Sequence, residues 1–273
     1  MKILDGKKLS EEILDDLARK IKSRHLKLRL AVILVGSNSV SRVFIEKKKE
    51  ACQRVGIGFN FYQFREKTGA KELKKAIEKI SRNPQNSGVV IQLPLPKHLN
   101  VQEVLNLLPP EKDVDVLSEL NLGKFSQGTL NILPPTVGGI SHLLNKYRIN
   151  VKGKNTVVVG AGRLVGYPLA LWLLKEKATV LVLNEFTKDA SSFIRKADIL
   201  VSGVGKPNLI RGDMVKSGAV VIDAGTTVEG GKLVGDVDFK SVSKKSSYIT
   251  PVPGGVGPLT VACLLENLVK LNK

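Results

Sequence analysis

Short apolar runs, each followed by a stretch with helical spacing, constrain this chain more than any other feature of its sequence. Strands are predicted at residues 30–35, 59–64, 88–93, 155–159, 179–183, 199–202 and 219–223, where apolar and β-branched residues cluster between turn signals. Helices are predicted at 10–26, 41–55, 71–81, 101–108, 139–146, 164–175 and 259–271. The first is typical: Ile13, Leu14, Leu17, Ala18 and Ile21 recur at helical spacing, with acids placed in its first turn and bases towards its end. Pro109-Pro110 and the stretch 133–135 break the pattern. Strands alternating with helices imply an α/β fold built on mostly parallel sheets. The last helix is expected to return and pack on the first set of units.

Composition narrows the function classes. With 273 residues, 42% of them hydrophobic, the chain can bury a substantial core. No apolar run approaches the roughly 20 residues of a bilayer span. Asp5, Lys7, Glu11 and Glu12 interrupt the amino-terminal stretch before a secretory core could form, so the expected location is the cytoplasm, with no membrane partner. Cys52 and Cys263 form no CxxC pair and read as reduced packing residues. His25, His98 and His142 show no ligand spacing, so no metal is expected. The net charge of +18 raises the question of nucleic acid. Its carriers, such as Arg19, Lys20, Lys22, Lys71, Lys74 and Lys75, fall on outward helix faces, and aromatics make up only 5% with none alternating with bases. A solvated surface is expected, not a nucleic-acid partner. The rival, a basic nucleic-acid binder on an enzyme scaffold, requires this charge on one face and a steep salt dependence.

One turn carries chemistry. The strand at 155–159 runs into Gly160, Gly162 and Gly166 and then into a helix, the order a dinucleotide-binding turn requires. The spacing is GxGxxxG, which a plain structural turn also fits. Glycine admits a phosphate without a Cβ in the way, and the helix amino terminus offers N–H groups to a pyrophosphate. Glu185, at the end of the next strand, can accept from a ribose diol and would repel a 2′-phosphate, which favours NAD over NADP. Arg163 and Lys188 are the counterweight, since either can pair with a phosphate.

The closing run TPVPGGVGPLT, residues 250–260, resembles the signature of the methylenetetrahydrofolate dehydrogenase/cyclohydrolase family, as does QLPLP at 92–96. LVGSNSVS, KDVD, VGKP and VGDVDF match in the family's order across nearly the whole chain. The resemblance implies two domains with a folate cleft between them: residues 1–116, completed by 255–273, and a Rossmann-like nucleotide domain at 117–254. It implies a homodimer acting on tetrahydrofolate derivatives, whose acidic polyglutamate tails suit a basic surface. Lys48 takes the place of the family's acid/base lysine, although the residues alone do not separate it from Lys47 or Lys49. Gln92 matches the glutamine that bonds this lysine, and Asp115 the acid that receives the pterin edge, leaving Asp113 as a turn or capping residue. Phe44, Leu95, Pro253, Gly254 and Gly255 correspond to substrate-binding positions. Thr136, Gly160, Ala161, Gly162, Arg163, Val165, Glu185, Thr226 and Thr260 correspond to cofactor-binding ones, for NAD or NADP.

Four departures matter. Phe44 stands where the family has a tyrosine, which keeps an aromatic wall but removes a hydroxyl. Val116 replaces a glycine, and Val137-Gly138 replace a proline followed by a base. Ala161-Gly162 stand where many relatives have Arg-Ser, whose side chains contact the 2′-phosphate. The implied activity is oxidation of 5,10-methylenetetrahydrofolate to the methenyl form, followed by hydrolysis to 10-formyltetrahydrofolate. The alternative is a dehydrogenase whose hydrolytic step is weakened through Phe44.

Overall fold

The computed structural model describes residues 1–272. In chain order the elements begin with β1 (Lys2–Ile3), α1 (Gly6–Ser23), β2 (Arg29–Val35), α2 (Ser39–Val55), β3 (Gly58–Phe64), α3 (Ala70–Arg82) and β4 (Gly88–Ile91). There follow α4 (Val101–Leu105), α5 (Glu119–Ser126), α6 (Pro135–Lys146), β5 (Asn155–Val159), α7 (Gly166–Lys175), β6 (Thr179–Leu183) and α8 (Ala190–Ile194). The chain closes with β7 (Ile199–Ser202), β8 (Val220–Asp223), β9 (Thr227–Glu229), β10 (Lys232–Val234), α9 (Phe239–Val242), β11 (Tyr248–Ile249) and α10 (Val256–Leu271).

Every expected strand and helix is present, with shifted ends. Strand β4 stops two residues short of the expected 93, just before the Leu93-Pro94 pair, where proline has no N–H for a ladder. Helix α1 starts at Gly6, so Glu11 and Glu12 fall in its second turn and its first turn holds no acid. It ends before His25, whose φ of 52° leaves the helical region. The hairpin β9–β10 adds to the expected elements, and Gly230-Gly231, with φ of 56° and 75°, forms its recognisable two-residue turn.

The chain divides into two units, one of residues 11–135 with 261–273 and the other of residues 1–10 with 136–260. In the first, β3, β2 and β4 form a parallel sheet in that order. Central β2 is buried on both faces, as a parallel strand must be. Leu30, Val32 and Leu34 join α1, α2 and residues 261–269 of α10 in one core, while Ala31, Ile33 and Val35 join α3 and α4 in another. The closing helix thus packs on the first set of units, as expected.

The expected boundary at 116/117 falls inside this unit. Asn121 Nδ2 donates to Pro110 O at 2.8 Å, and Asn267 Nδ2 donates to Val114 O at 2.9 Å and Leu133 O at 2.8 Å. These bonds tie residues through 133 to the unit of the three-stranded sheet. The other unit holds a six-stranded parallel sheet ordered β1-β11-β8-β7-β5-β6. Residues 1–10 belong to it because β1 is an edge strand, bonded through Lys2 N–H to Ser247 O and Leu4 N–H to Ile249 O. β5 lies between β6 and β7, so the strand order reverses there, which is where open α/β sheets bind ligands.

Candidate active site

Helix geometry separates the three consecutive lysines of α2. Its buried face carries Ser41, Ile45, Lys48, Ala51, Cys52 and Val55, with Ser41, Ile45, Lys48, Cys52 and Val55 three or four residues apart. Lys47 and Lys49 point outward and pair with Glu50 and Glu46. The helix starts at Asn38, whose side chain accepts from Ser41 N–H at 2.9 Å, and stops at Gly56 in the left-handed region. Lys48 is only 9% exposed, and burial pulls its ammonium below the ordinary lysine range, opposed chiefly by the charge of Asp115. Its Nζ donates to Gln92 Oε1 at 2.7 Å. Gln92 follows β4, its own N–H bonded to Ile33 O at 2.8 Å and its Nε2 donating to Leu93 O at 2.9 Å. That last bond decides which end of the amide faces the lysine.

A parallel bridge between Val89 and Asp113 lays the next segment beside β4. Asp113 is fully buried and accepts from Leu117 N–H, Ser118 N–H and Ser118 Oγ, the turn role expected of it. Asp115 is partly exposed. Burial pushes its carboxyl up to about 6, with Asp113 adding to the rise and Lys48 opposing it. Val116 follows with φ of 59°, a left-handed conformation that costs a side chain with Cβ about 1–2 kcal/mol and that explains why glycine suits this place. Phe44 is half-buried, one turn before Lys48. Leu95 is 8% exposed and packs within the core of β2, α3 and α4, so its side chain is occupied by packing. Cys52, one turn beyond Lys48, has its thiol pushed up to about 12 by burial, which leaves it protonated and unreactive. Both cysteines are buried and free, as expected.

The glycine turn belongs to the other unit. Gly160 has φ of 99°, and a Cβ there would meet Gly203 O at 2.9 Å. A Cβ on Gly166 would stand 1.7 Å from Gly160 O, so these two glycines are required by backbone contact. At Gly162 a Cβ would meet nothing within 4 Å. The turn is therefore tight at its ends and open in its middle, with Ala161, Gly162 and Arg163 exposed before the amino terminus of α7. Val165 lies against Gly203 and precedes that helix. This arrangement fits a pyrophosphate.

Gly160 N–H donates to Leu183 O at 2.8 Å, which ties the turn to the end of β6, two residues before exposed Glu185. Thr226 is half-buried, and Thr227 Oγ1 donates to Gly205 O at 2.6 Å on the loop after β7. Thr136 and Thr260 place their hydroxyl oxygens 3.4 Å apart. Gly254 has φ of 107° and its carbonyl accepts from Lys7 N–H, while Gly255 packs on Pro251 and Thr250. Exposed Pro253 stands at the tip of this turn. The structure thus gathers Lys48, Gln92 and Asp115 in one unit and the glycine turn, Glu185 and Thr226 in the other.

Ser202, Asp223 and Asp236 are not among the candidate site residues read from the sequence, although Asp236 lies in the VGDVDF run. Asp223 is 3% exposed and accepts from Gly225, Asp236 and Val237 N–H. Burial pushes its carboxyl up to about 6, opposed chiefly by the Val237 bond. Asp236 is fully buried. The signal lay in the Asp-Ala-Gly triplet at 223–225 and the Gly-Asp pair at 235–236, where each glycine makes room for the carboxylate of the other segment.

The profile described as tetrahydrofolate dehydrogenase/cyclohydrolase, catalytic domain, matches residues 4–115, and that of the NAD(P)-binding domain matches residues 134–273. The bifunctional protein FolD of a Nitratiruptor species is 47% identical over 277 residues, covering 100% of this chain and 98% of that protein. The crystal structure of the bifunctional enzyme FolD, a methylenetetrahydrofolate dehydrogenase/cyclohydrolase from Campylobacter jejuni, superposes with a TM-score of 0.95 at 44% identity, covering 99% of this chain and 98% of that one. The dehydrogenase-cyclohydrolase from Trypanosoma brucei, complexed with NADP cofactor and inhibitor, gives a TM-score of 0.93 at 32% identity, covering 98% and 95%. With both family domains matched in order along the chain that carries the lysine–glutamine pair and the glycine turn, this chain belongs to the tetrahydrofolate dehydrogenase/cyclohydrolase family.

Proposed function

We propose that the chain oxidises 5,10-methylenetetrahydrofolate to 5,10-methenyltetrahydrofolate with NAD(P) and hydrolyses the product to 10-formyltetrahydrofolate. The observation that carries the hydrolytic half is the buried Lys48 Nζ held 2.7 Å from Gln92 Oε1. A lysine serves as base near neutrality only if its amine is partly neutral, and burial biases it that way. Neutral Lys48 takes one proton from the water that adds to the methenyl carbon and returns it to the ring nitrogen as that C–N bond breaks. The second water proton leaves as the formyl carbonyl forms. Gln92 aims the amine. Asp115 accepts the paired donors of the pterin edge. Phe44 supplies an apolar face one turn from the amine.

A bound nicotinamide nucleotide supplies the hydride acceptor for the oxidation. Gly162 leaves room for its pyrophosphate in a turn closed by Gly160 and Gly166, with Ala161, Arg163 and Val165 on the turn and Thr136, Thr226 and Thr260 in the same unit. Exposed Glu185 stands at the end of β6 where a ribose diol is received, and we read it as favouring NAD. A like-charge clash about 4 Å from a 2′-phosphate costs about 1 kcal/mol in water and about 4 kcal/mol at an effective dielectric near 20. Among the described residues no helix is long and apolar enough to cross a membrane, and the two free cysteines suit the reducing cytoplasm. Edge strand β6 exposes Leu181 and Val182, and an apolar open edge is what a second copy of the chain covers in a homodimer.

The test is the absorbance of methenyl formation from methylenetetrahydrofolate, run in parallel with NAD and NADP, followed by methenyl decay without nucleotide. Formation and enzyme-accelerated decay both support the reading. Formation without accelerated decay supports the monofunctional alternative through Phe44.

A further inference from the structure

Two buried carboxylates interlock behind the glycine turn, and no cation is bonded to either among the described residues. Asp236 Oδ2 accepts from Ser202 Oγ and Val204 N–H, both at 2.7 Å, and its Oδ1 accepts from Gly205 and Lys206 N–H, both at 2.8 Å. Asp223 Oδ1 accepts from Gly225 N–H at 2.9 Å and from Asp236 N–H at 3.2 Å, and its Oδ2 from Val237 N–H at 2.9 Å. The fit is mutual: a Cβ on Gly225 would stand 2.1 Å from the Asp236 carboxyl carbon, and one on Gly235 2.0 Å from Asp223 Oδ2.

A buried, uncompensated charge is costly. Here hydrogen-bond donors do the compensating, and beside the Ser202 hydroxyl the three that meet Asp236 are consecutive N–H groups of the loop after β7. That loop is a wall of the turn: Gly203 N–H donates to Val159 O at 2.9 Å, and Gly203 O and Val204 leave no room for a Cβ on Gly160. It stands at the carboxyl end of β7 beside β5, where the strand order reverses.

We propose that Asp223 and Asp236 form a carboxylate clamp that positions the 203–206 loop against the Gly160 turn, so that nucleotide affinity is set by two residues that touch no nucleotide. The proposal rests on the glycine turn being the NAD(P) site. Only a carboxylate accepts at both oxygens. Asp236→Asn keeps the volume but turns an NH₂ either on Ser202 and Val204 or on the Gly205 and Lys206 N–H pair, opening the loop by donor–donor repulsion.

The test measures Kd for NADH and NADPH by nicotinamide fluorescence, with KM and kcat for oxidation and the rate of methenyl hydrolysis, which uses no nucleotide. Asp236→Asn is expected to raise Kd and KM for the nucleotide at least about tenfold while kcat at saturation changes less than about threefold. Hydrolysis, carried by Lys48 in the other unit, stays within about twofold. Ser202→Ala removes one of four donors and leaves the carboxylate whole, and it is expected to raise Kd about two- to fivefold. Wild-type Kd in either variant overturns the clamp, as does loss of hydrolysis in proportion to binding in both, which assigns the pair to folding alone. Absence of binding by the wild-type protein would overturn the nucleotide site and the clamp together.

Discussion

Replacing Lys48 by methionine is expected to separate the two activities. Methionine matches the length and much of the volume of the lysine stem, so the packing of α2 against the sheet is retained. Two stability terms oppose each other. Removing a buried amine ends the cost of its desolvation, while Gln92 Oε1 loses its 2.7 Å donor, at about 1–3 kcal/mol for an acceptor left unpaired. The melting temperature should therefore move by no more than a few degrees.

Activity responds far more strongly than stability. A positioned acid/base group is worth about 10²–10⁴ in rate, or about 2.7–5.5 kcal/mol of barrier, and the hydrolysis of methenyltetrahydrofolate should fall by that factor. Hydride transfer needs no proton shuttle and should fall less than about tenfold. Lys48→Arg sharpens the test, because guanidinium keeps the positive charge but cannot give up its proton. It should lose hydrolysis as methionine does. Lys47→Met and Lys49→Met, at outward positions paired with Glu50 and Glu46, should leave both activities intact. The assay follows loss of methenyl absorbance and nucleotide reduction on the same preparations. Equal loss of both activities in Lys48→Met with folate binding unchanged would refute the division of roles.

Further outcomes are expected. Asp115→Ala should raise the folate Kd, since it strands two pterin donors, and an unchanged Kd counts against the assignment. With its carboxyl pushed up to about 6, Asp115 is about nine-tenths ionised at pH 7 and about one-tenth at pH 5. Folate affinity should thus fall as pH drops through this window, and titration calorimetry that finds it rising contradicts the acceptor role. Phe44→Tyr restores a hydroxyl one turn from Lys48 and should speed hydrolysis more than oxidation in single-turnover measurements; slower hydrolysis shows a site adapted to phenylalanine. Glu185→Ser should move kcat/KM towards NADP, by up to the factor that about 1–4 kcal/mol allows. If the wild-type protein already prefers NADP and Arg163→Ala removes that preference, Arg163 is the phosphate ligand.

The sequence by itself determined the parallel α/β fold, because strands such as β2 are apolar at every position after the first and their helices carry the 3.6 period. It also located the glycine turn, since Gly160 and Gly166 meet within a single strand–turn–helix. Such signals are local, written within a few residues of where they act. Resemblance to a family singled out Lys48; the spacing around it did not. Only the tertiary structure decided that Lys48 faces inward while Lys47 and Lys49 face water, because the burial of a helix face depends on what packs against it. It alone attached residues 1–10 to the nucleotide sheet through β1 and β11, two-residue strands too short to show a period. It alone joined Asp223 to Asp236 and both to the 203–206 loop. Hydrogen bonds between residues distant in the chain, such as Ser202 and Asp236, leave no periodic trace in a sequence, so a buried aspartate there reads like any turn residue until the backbone brings its donors to it.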